Sequence, residues 1–224
     1  MPYKSRRLKH RAKKSRKPLA VGILAVVAIA VIVIAVYYVF FSQPAVPVVQ
    51  GKVLFEVVWV DETNTTRNGN ITIQLRDDKP ITSGNFRTLV EQGKYDNTIF
   101  HRVIAGFMIQ GGDPTGTGMG DPSIATIHDE IGSNNHNIPG TIAMAKMSTS
   151  SGEMVPNSAT SQFFINVGDN TGLDSNFSVF GDVVQGMDVV IAISQVPAVA
   201  NPAIPSEISV PVNEVTLISA TVLP

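Results

Sequence analysis

The sequence predicts a mainly β domain, a closed antiparallel barrel of about eight strands capped by two helices, preceded by one N-terminal transmembrane helix. Three observations lead there. Short β-branched and aromatic runs recur through residues 51–224 with Gly, Pro, Asn and Asp between them. Only two stretches of that region carry helical spacing, and Leu19 to Phe41 is 23 residues long without a charge. At 224 residues and 44% hydrophobic content, the chain can bury a substantial core.

The elements follow in order. Nine of the 17 Lys and Arg lie before residue 18, so residues 1–18 read as a basic cytoplasmic arm. As a helix, residues 19–41 run about 34 Å, enough to cross a hydrocarbon core of roughly 30 Å. Tyr37, Tyr38, Phe40 and Phe41 gather at the far end, where aromatic rings favour the interface. The stretch is too long for the apolar core of a cleaved signal peptide, and no Ala-x-Ala site follows it. The chain is therefore expected in the cell membrane as a single-pass protein, in contact with the lipid bilayer through Leu19 to Phe41. Its N-terminus is expected in the cytoplasm and everything after residue 42 outside. Residues 42–50, with two prolines and no charge, make a short stiff spacer, and residues 51–224 make the folded domain.

All 18 acids lie at or after Glu56, and from residue 51 onward 8 basic residues face 18 acidic ones, a net charge of −10. Such a domain repels phosphate backbones, so no nucleic-acid partner is expected. Cysteine is absent, which excludes disulfides, thiolate metal sites and cysteine nucleophiles.

Within the domain, Val53 to Val60 and Ile71 to Leu75 form a strand pair with a long polar loop between them. Pro80 to Gln92 places Ile81, Phe86, Leu89 and Val90 at helical spacings and stops at Gly93. Further strand-like runs are Ile99 to Ile104, Phe107 to Gln110, Thr141 to Ala145, Gln162 to Val167, Ser178 to Phe180 and Val212 to Ala220. A second helix fits Gly186 to Ser194, with Met187, Val190 and Ile191 recurring and Asp188 in the first turn.

The block FHRVIAGFMIQGGD, Phe100 to Asp113, holds the chemistry. A hairpin reversing near Ala105 and Gly106 brings Arg102 roughly opposite Gln110, so a guanidinium and a carboxamide meet on one face. His101, one residue from Arg102, points to the other face and reads as structural. In SQFFINV, Phe163, Ile165 and Val167 face a core, while Gln162 and Phe164 face the other way. His128, Asp129, Glu130 and His136 match no standard ligand spacing, and the glycine-rich run from Gly111 to Gly120 lacks a Gly-Lys-Ser/Thr ending. No metal and no cofactor are expected.

These blocks, with NFRTL before them and GTIAMA, SQFFI, LD and VFG after, resemble the cyclophilin family of peptidyl-prolyl cis-trans isomerases over nearly all of residues 51–224. The resemblance implies a cyclophilin-like barrel that binds proline-containing polypeptide clients and assists the folding of exported or membrane proteins. It implies Arg102 as the catalytic arginine, Phe107, Met108, Phe164 and Leu173 as the proline pocket, and Gln110 and Gln162 as the polar groups that steady arginine and peptide. Ala145 falls where the substrate backbone pairs with the domain. Gly172 stands where many members have tryptophan, Phe177 where many have histidine and forms an aromatic wall, and Lys146-Met147 replaces an Asn-Ala pair. The rival reading is a chaperone or assembly module that holds proline segments on the same fold without turnover; retained Arg102, Phe107 and Gln110 favour the enzyme.

Overall fold

The computed structural model describes residues 51–224. The basic arm, the span from Leu19 to Phe41 and the spacer lie outside the described residues. Among the described residues, no helix is long and apolar enough to cross a membrane.

The strands are β1 (Lys52–Val60), β2 (Thr66–Leu75), β3 (Thr98–Ile99), β4 (Arg102–Ile104), β5 (Met108–Gly111), β6 (Thr141–Met144), β7 (Phe163–Asn166), β8 (Val179–Gln185), β9 (Ala198–Asn201), β10 (Ile204–Pro211) and β11 (Thr216–Leu223). The helices are α1 (Pro80–Glu91) and α2 (Met187–Ser194). Nine strands form one curled antiparallel sheet in the order β3-β11-β1-β2-β8-β6-β7-β5-β4, and β9 with β10 forms a separate ribbon.

The predicted closed barrel of about eight strands needs correction, because this order has two ends. Both ends come from the single run Ile99 to Ile104. Phe100 and His101 leave the ladder between β3 and β4, and the Phe100 N–H turns to the Val215 carbonyl at 2.9 Å. The sheet's ends are therefore joined through the chain and not by lateral hydrogen bonds.

Alternation along β1 buries Val53, Phe55, Val57 and Trp59, and their partners in β2 include Ile73 and Ile71. The polar loop predicted before Ile71 shrinks to Asp61–Thr65, because Thr66 to Asn70 continue the pairing with Val60 to Glu56. Asp61 makes that short turn possible by accepting the Thr63 and Thr65 N–H groups and the Arg67 Nε–H at 2.7 Å. β9 and most of β10 form where the sequence shows no clean alternation.

Helix α1 starts on Pro80, which needs no amide partner there. Its cap comes from another segment: Glu130 accepts the Ile81 and Thr82 N–H groups at 3.1 and 2.8 Å. The helix buries Thr82, Ser83, Phe86, Leu89 and Val90, whereas Ile81, predicted on that face, is exposed because at about 100° per residue it points about 140° away from Phe86. Helix α2 buries Val190 and Ile193 and leaves Ile191 in water. Gly186 precedes it at φ 86°, where an added Cβ would strike the Asn70 carbonyl, so only glycine fits this entry.

The core is aromatic. Phe86 lies 4.8 Å from Phe180 and 5.1 Å from Tyr95, and Phe163 lies 5.5 Å from Phe55, as ring centroids. Tyr95 satisfies its buried hydroxyl on the Ser161 carbonyl at 3.0 Å. These rings and the aliphatic side chains around them fill the inner face of the sheet. The outer face of β4, β5 and β7 is then free to carry a site.

Candidate active site

The hairpin register places Arg102 opposite Gln110, as the sequence predicts. Arg102 Nη1 donates to Gln110 Oε1 at 3.3 Å and lies 3.8 Å from Met108 Sδ. Gln110 Nε2 then donates to Gln162 Oε1 at 3.0 Å, and Gln162 Nε2 donates to the Gly118 carbonyl at 3.0 Å. Three polar side chains, from β4, β5 and the residue just before β7, thus form one relay that ends on the glycine-rich loop.

Beside it lies a small apolar cluster separate from the main core: Met108, Ala143, Phe164 and Val179, with Ile104, Phe107, Ala145, Leu173 and Phe177 packed against it. Strand alternation explains the separation, because Phe163 and Ile165 are fully buried on one face of β7 and Phe164 emerges on the other. Phe164 and Phe177 meet edge to face at 5.4 Å. Arg102 closes the cluster's rim, with Cζ 5.8 Å from the Phe107 ring centroid.

The segment that carries Leu173 is tied to the hairpin by one carbonyl. Phe107 O accepts the Val167 and Gly168 N–H groups at 2.9 and 3.1 Å and Asn170 Nδ2 at 2.9 Å. Asn135 holds the next stretch by donating to the Asp174 and Phe177 carbonyls at 2.6 and 2.8 Å. Gly172 sits in a 3-10 turn, Thr171–Leu173, and an added Cβ there would meet nothing within 4 Å.

Arg102, Phe107, Met108, Gln110, Ala145, Phe164, Leu173 and Phe177 all line one cavity of about 820 Å³. Gln162 stands behind its wall and reaches it through Gln110. His101 departs from its prediction: it belongs to no strand, lines the cavity and packs beside Gly118. Its Nδ1 has no partner, and burial holds the imidazole below its ordinary pKa.

The glycine-rich loop is organised around Asp113, which is fully buried. Its carboxylate accepts the N–H groups of Thr115, Gly118 and Gly120 at 2.9, 2.7 and 3.1 Å, and the hydroxyls of Thr115 and Thr117. Burial pushes its pKa up, but the bonds from Thr115, Gly120 and Gly118 outweigh that and hold it below the ordinary value. Gly112 sits at φ 79°, and an added Cβ would meet the Phe163 ring at 2.6 Å, so glycine lets the chain turn tightly into this cradle. The acids flagged beside His128 have other employment. Asp129 pairs with the buried Lys146 at 2.8 Å, and Glu130 caps α1.

Sequence reasoning missed one charged partner. Glu207 on β10 takes Arg102 Nε and Nη2 at 2.7 and 2.6 Å in a two-point pair. The same ribbon adds Asn201, Pro202, Ala203 and Ile204 to the cavity wall. Arg102 holds Glu207 below the usual carboxylate range, opposed by burial and aided by Ser209 and Asn201.

The arrangement offers an apolar pocket, a cationic donor at its rim and an amide relay. Comparison with known proteins agrees with it. The family described as "Cyclophilin type peptidyl-prolyl cis-trans isomerase/CLD" matches residues 60–222. A peptidyl-prolyl cis-trans isomerase of Acinetobacter baylyi is 46% identical over 138 residues, which is 59% of this chain and 70% of that protein. Peptidyl-prolyl cis-trans isomerase-like 3 of Dictyostelium discoideum is 39% identical over 161 residues, 70% of this chain and 91% of that one. A crystal structure of a Cryptosporidium parvum cyclophilin type peptidyl-prolyl cis-trans isomerase in the presence of the dipeptide Ala-Pro matches with a TM-score of 0.60 and 30% identity, covering 75% of this chain and 99% of that one.

Proposed function

The chain belongs to the cyclophilin-type peptidyl-prolyl cis-trans isomerase family and is such an isomerase; from that premise we propose that Arg102 is its donor to the prolyl nitrogen, over a pocket of Phe107, Met108, Phe164, Leu173 and Phe177. The observation that carries this reading is Arg102 Nη1, placed between Gln110 Oε1 and Met108 Sδ at the rim of the apolar cluster. A thioether is a weak acceptor, so a peptide group displaces it at little cost.

Rotation about an X-Pro bond faces a barrier of about 18 to 20 kcal/mol because amide resonance must break. At the twisted geometry the prolyl nitrogen regains a lone pair, and a donor waiting there stabilises the transition state more than the planar ground state. An acceleration of about 10⁵ asks for roughly 7 kcal/mol, and one preorganised donor typically supplies about 3 to 4. The pocket's grip on the ring and the backbone supplies the rest. The Ala145 N–H already donates to the Gln162 carbonyl at 2.9 Å, so a client backbone meets the Ala145 carbonyl. Activity of Arg102→Ala, argued in the Discussion, tests the assignment.

We also propose that the domain works outside the cell membrane, anchored by Leu19 to Phe41, on exported or membrane clients. The uncharged span with basic residues on one side supports this. Protease added to intact cells that lack an outer envelope is expected to digest the globular part while residues 1–18 stay protected. Protection of the globular part until the membrane is broken would reverse the orientation.

The open space around Gly172 leads to an expected gain of inhibitor binding. Gly172→Trp restores an indole donor and ring surface at the rim, where an ordinary hydrogen bond contributes about 0.5 to 1.5 kcal/mol. Affinity for cyclosporin-type ligands is expected to rise about tenfold with the isomerase rate nearly unchanged. Unchanged affinity would mean that the turn Thr171–Leu173 does not face the ligand.

A further inference from the structure

Glu207 occupies an irregular stretch of the ribbon. β9 and β10 pair Asn201 with Ile204 and Ala200 with Ile208, so Pro205, Ser206 and Glu207 have no register partner between them. Such a bulge re-aims side chains out of the ladder. β10 packs beside β4 without joining the main sheet, and Glu207 meets Arg102 across that boundary. The carboxylate approaches from the Nε and Nη2 side, whereas Nη1 faces Gln110 and Met108. Glu207 is not among the residues that line the cavity, so it does not stand in the proline's place.

An arginine side chain alone samples many rotamers, and one 3.3 Å bond to Gln110 does not fix the plane of its guanidinium. Two parallel bonds to one carboxylate do. We propose that Glu207 is a positioning residue, carried by the β9–β10 ribbon, that fixes the Arg102 guanidinium with Nη1 presented to the prolyl nitrogen. The inference rests on the reading of Arg102 as the catalytic donor. It assigns the ribbon a part in the reaction beyond walling the groove. Chemically, the pair exchanges some of the arginine's net charge for orientation, and the twisted nitrogen needs an aimed N–H more than a distant field.

The test is a cycle in the full-length, detergent-solubilised protein: wild type, Glu207→Ala, Arg102→Ala and the double variant, each assayed on an X-Pro peptide and by thermal melting. Glu207→Ala is expected to lower kcat about tenfold, equal to about 1.4 kcal/mol of transition-state stabilisation, with KM within about twofold. In the Arg102→Ala background it is expected to cost nothing further, because a residue that acts through Arg102 has nothing left to position. Glu207→Gln keeps the side chain's shape and one acceptor oxygen; it is expected to fall between wild type and Glu207→Ala, and it serves if the alanine variant fails to fold. Wild-type or higher activity in Glu207→Gln and Glu207→Ala would overturn the proposal, as would an equal loss in both arginine backgrounds. A fully active Arg102→Ala would instead remove the reading beneath it.

Discussion

Replacing Arg102 by Ala is expected to lower the isomerase rate about 10²-fold or more, the usual cost of deleting one preorganised donor, while the fold survives. The guanidinium lies at the rim of the apolar cluster, and its removal leaves that cluster and the aromatic core intact. The Glu207 side chain it abandons is 22% exposed and can turn to water, so the melting midpoint is expected to move little. Arg102→Lys keeps the charge but not the planar fork. It is expected to recover only a small part of the rate, since lysine cannot hold Glu207 at two points and Gln110 at a third. The measurement is a peptide isomerisation assay beside a thermal melt on the same preparation. A wild-type rate in Arg102→Ala would mean that the pocket alone catalyses the rotation.

The largest loss of stability is expected at Asp113. Asp113→Ala strips acceptors from three backbone amides and two threonine hydroxyls at once. Some of these donors find water as the loop loosens, so the expected cost is about 3 kcal/mol, a fall in melting midpoint of roughly 6 to 12 °C. The Gly118 carbonyl that receives Gln162 moves with the loop, so the rate is expected to fall as well. The sign of the pH dependence follows from the direction of the shift. The carboxyl is held below its ordinary value of 3.8, so its ionisation stabilises the fold fully above that pH, and the contribution disappears as pH falls through the folded value. The stability gap between wild type and Asp113→Ala is therefore expected to be constant near neutrality and to narrow below about pH 4. Denaturant melts across pH 2.5 to 7 check both points, where pH is set on the scale of the ordinary carboxylate. A gap of less than about 1 kcal/mol at neutral pH would show that the loop holds its shape without this carboxylate.

The site was legible in the sequence where its geometry is local. Arg102 and Gln110 are eight residues apart on one hairpin, and a hairpin's register follows from its turn, so their meeting needs no knowledge of the rest of the chain. Phe163 and Phe164 part to opposite faces for an equally local reason, the two-residue period of a strand. The assignment of Leu173 and Phe177 to the pocket came from family resemblance. The structure supplies its cause in the bonds to Phe107 O and from Asn135 that draw their segment onto the hairpin.

What only the tertiary structure decided lies at long separation. Glu207 is 105 residues from Arg102, in a proline-rich stretch where an acid looks like any solvated surface group. The bulge that aims it depends on β9 and β10 pairing with each other, and their packing beside β4 depends on how the sheet curls. The split of Ile99 to Ile104 has the same origin: strand propensity continues through Phe100 and His101, but the Val215 carbonyl takes the Phe100 amide. Propensity, alternation and turn chemistry act over a few residues and are written in the sequence. Which distant backbone or carboxylate satisfies a given donor is decided only when packing brings the candidates together, and that choice set both the ends of the sheet and the partner of Arg102.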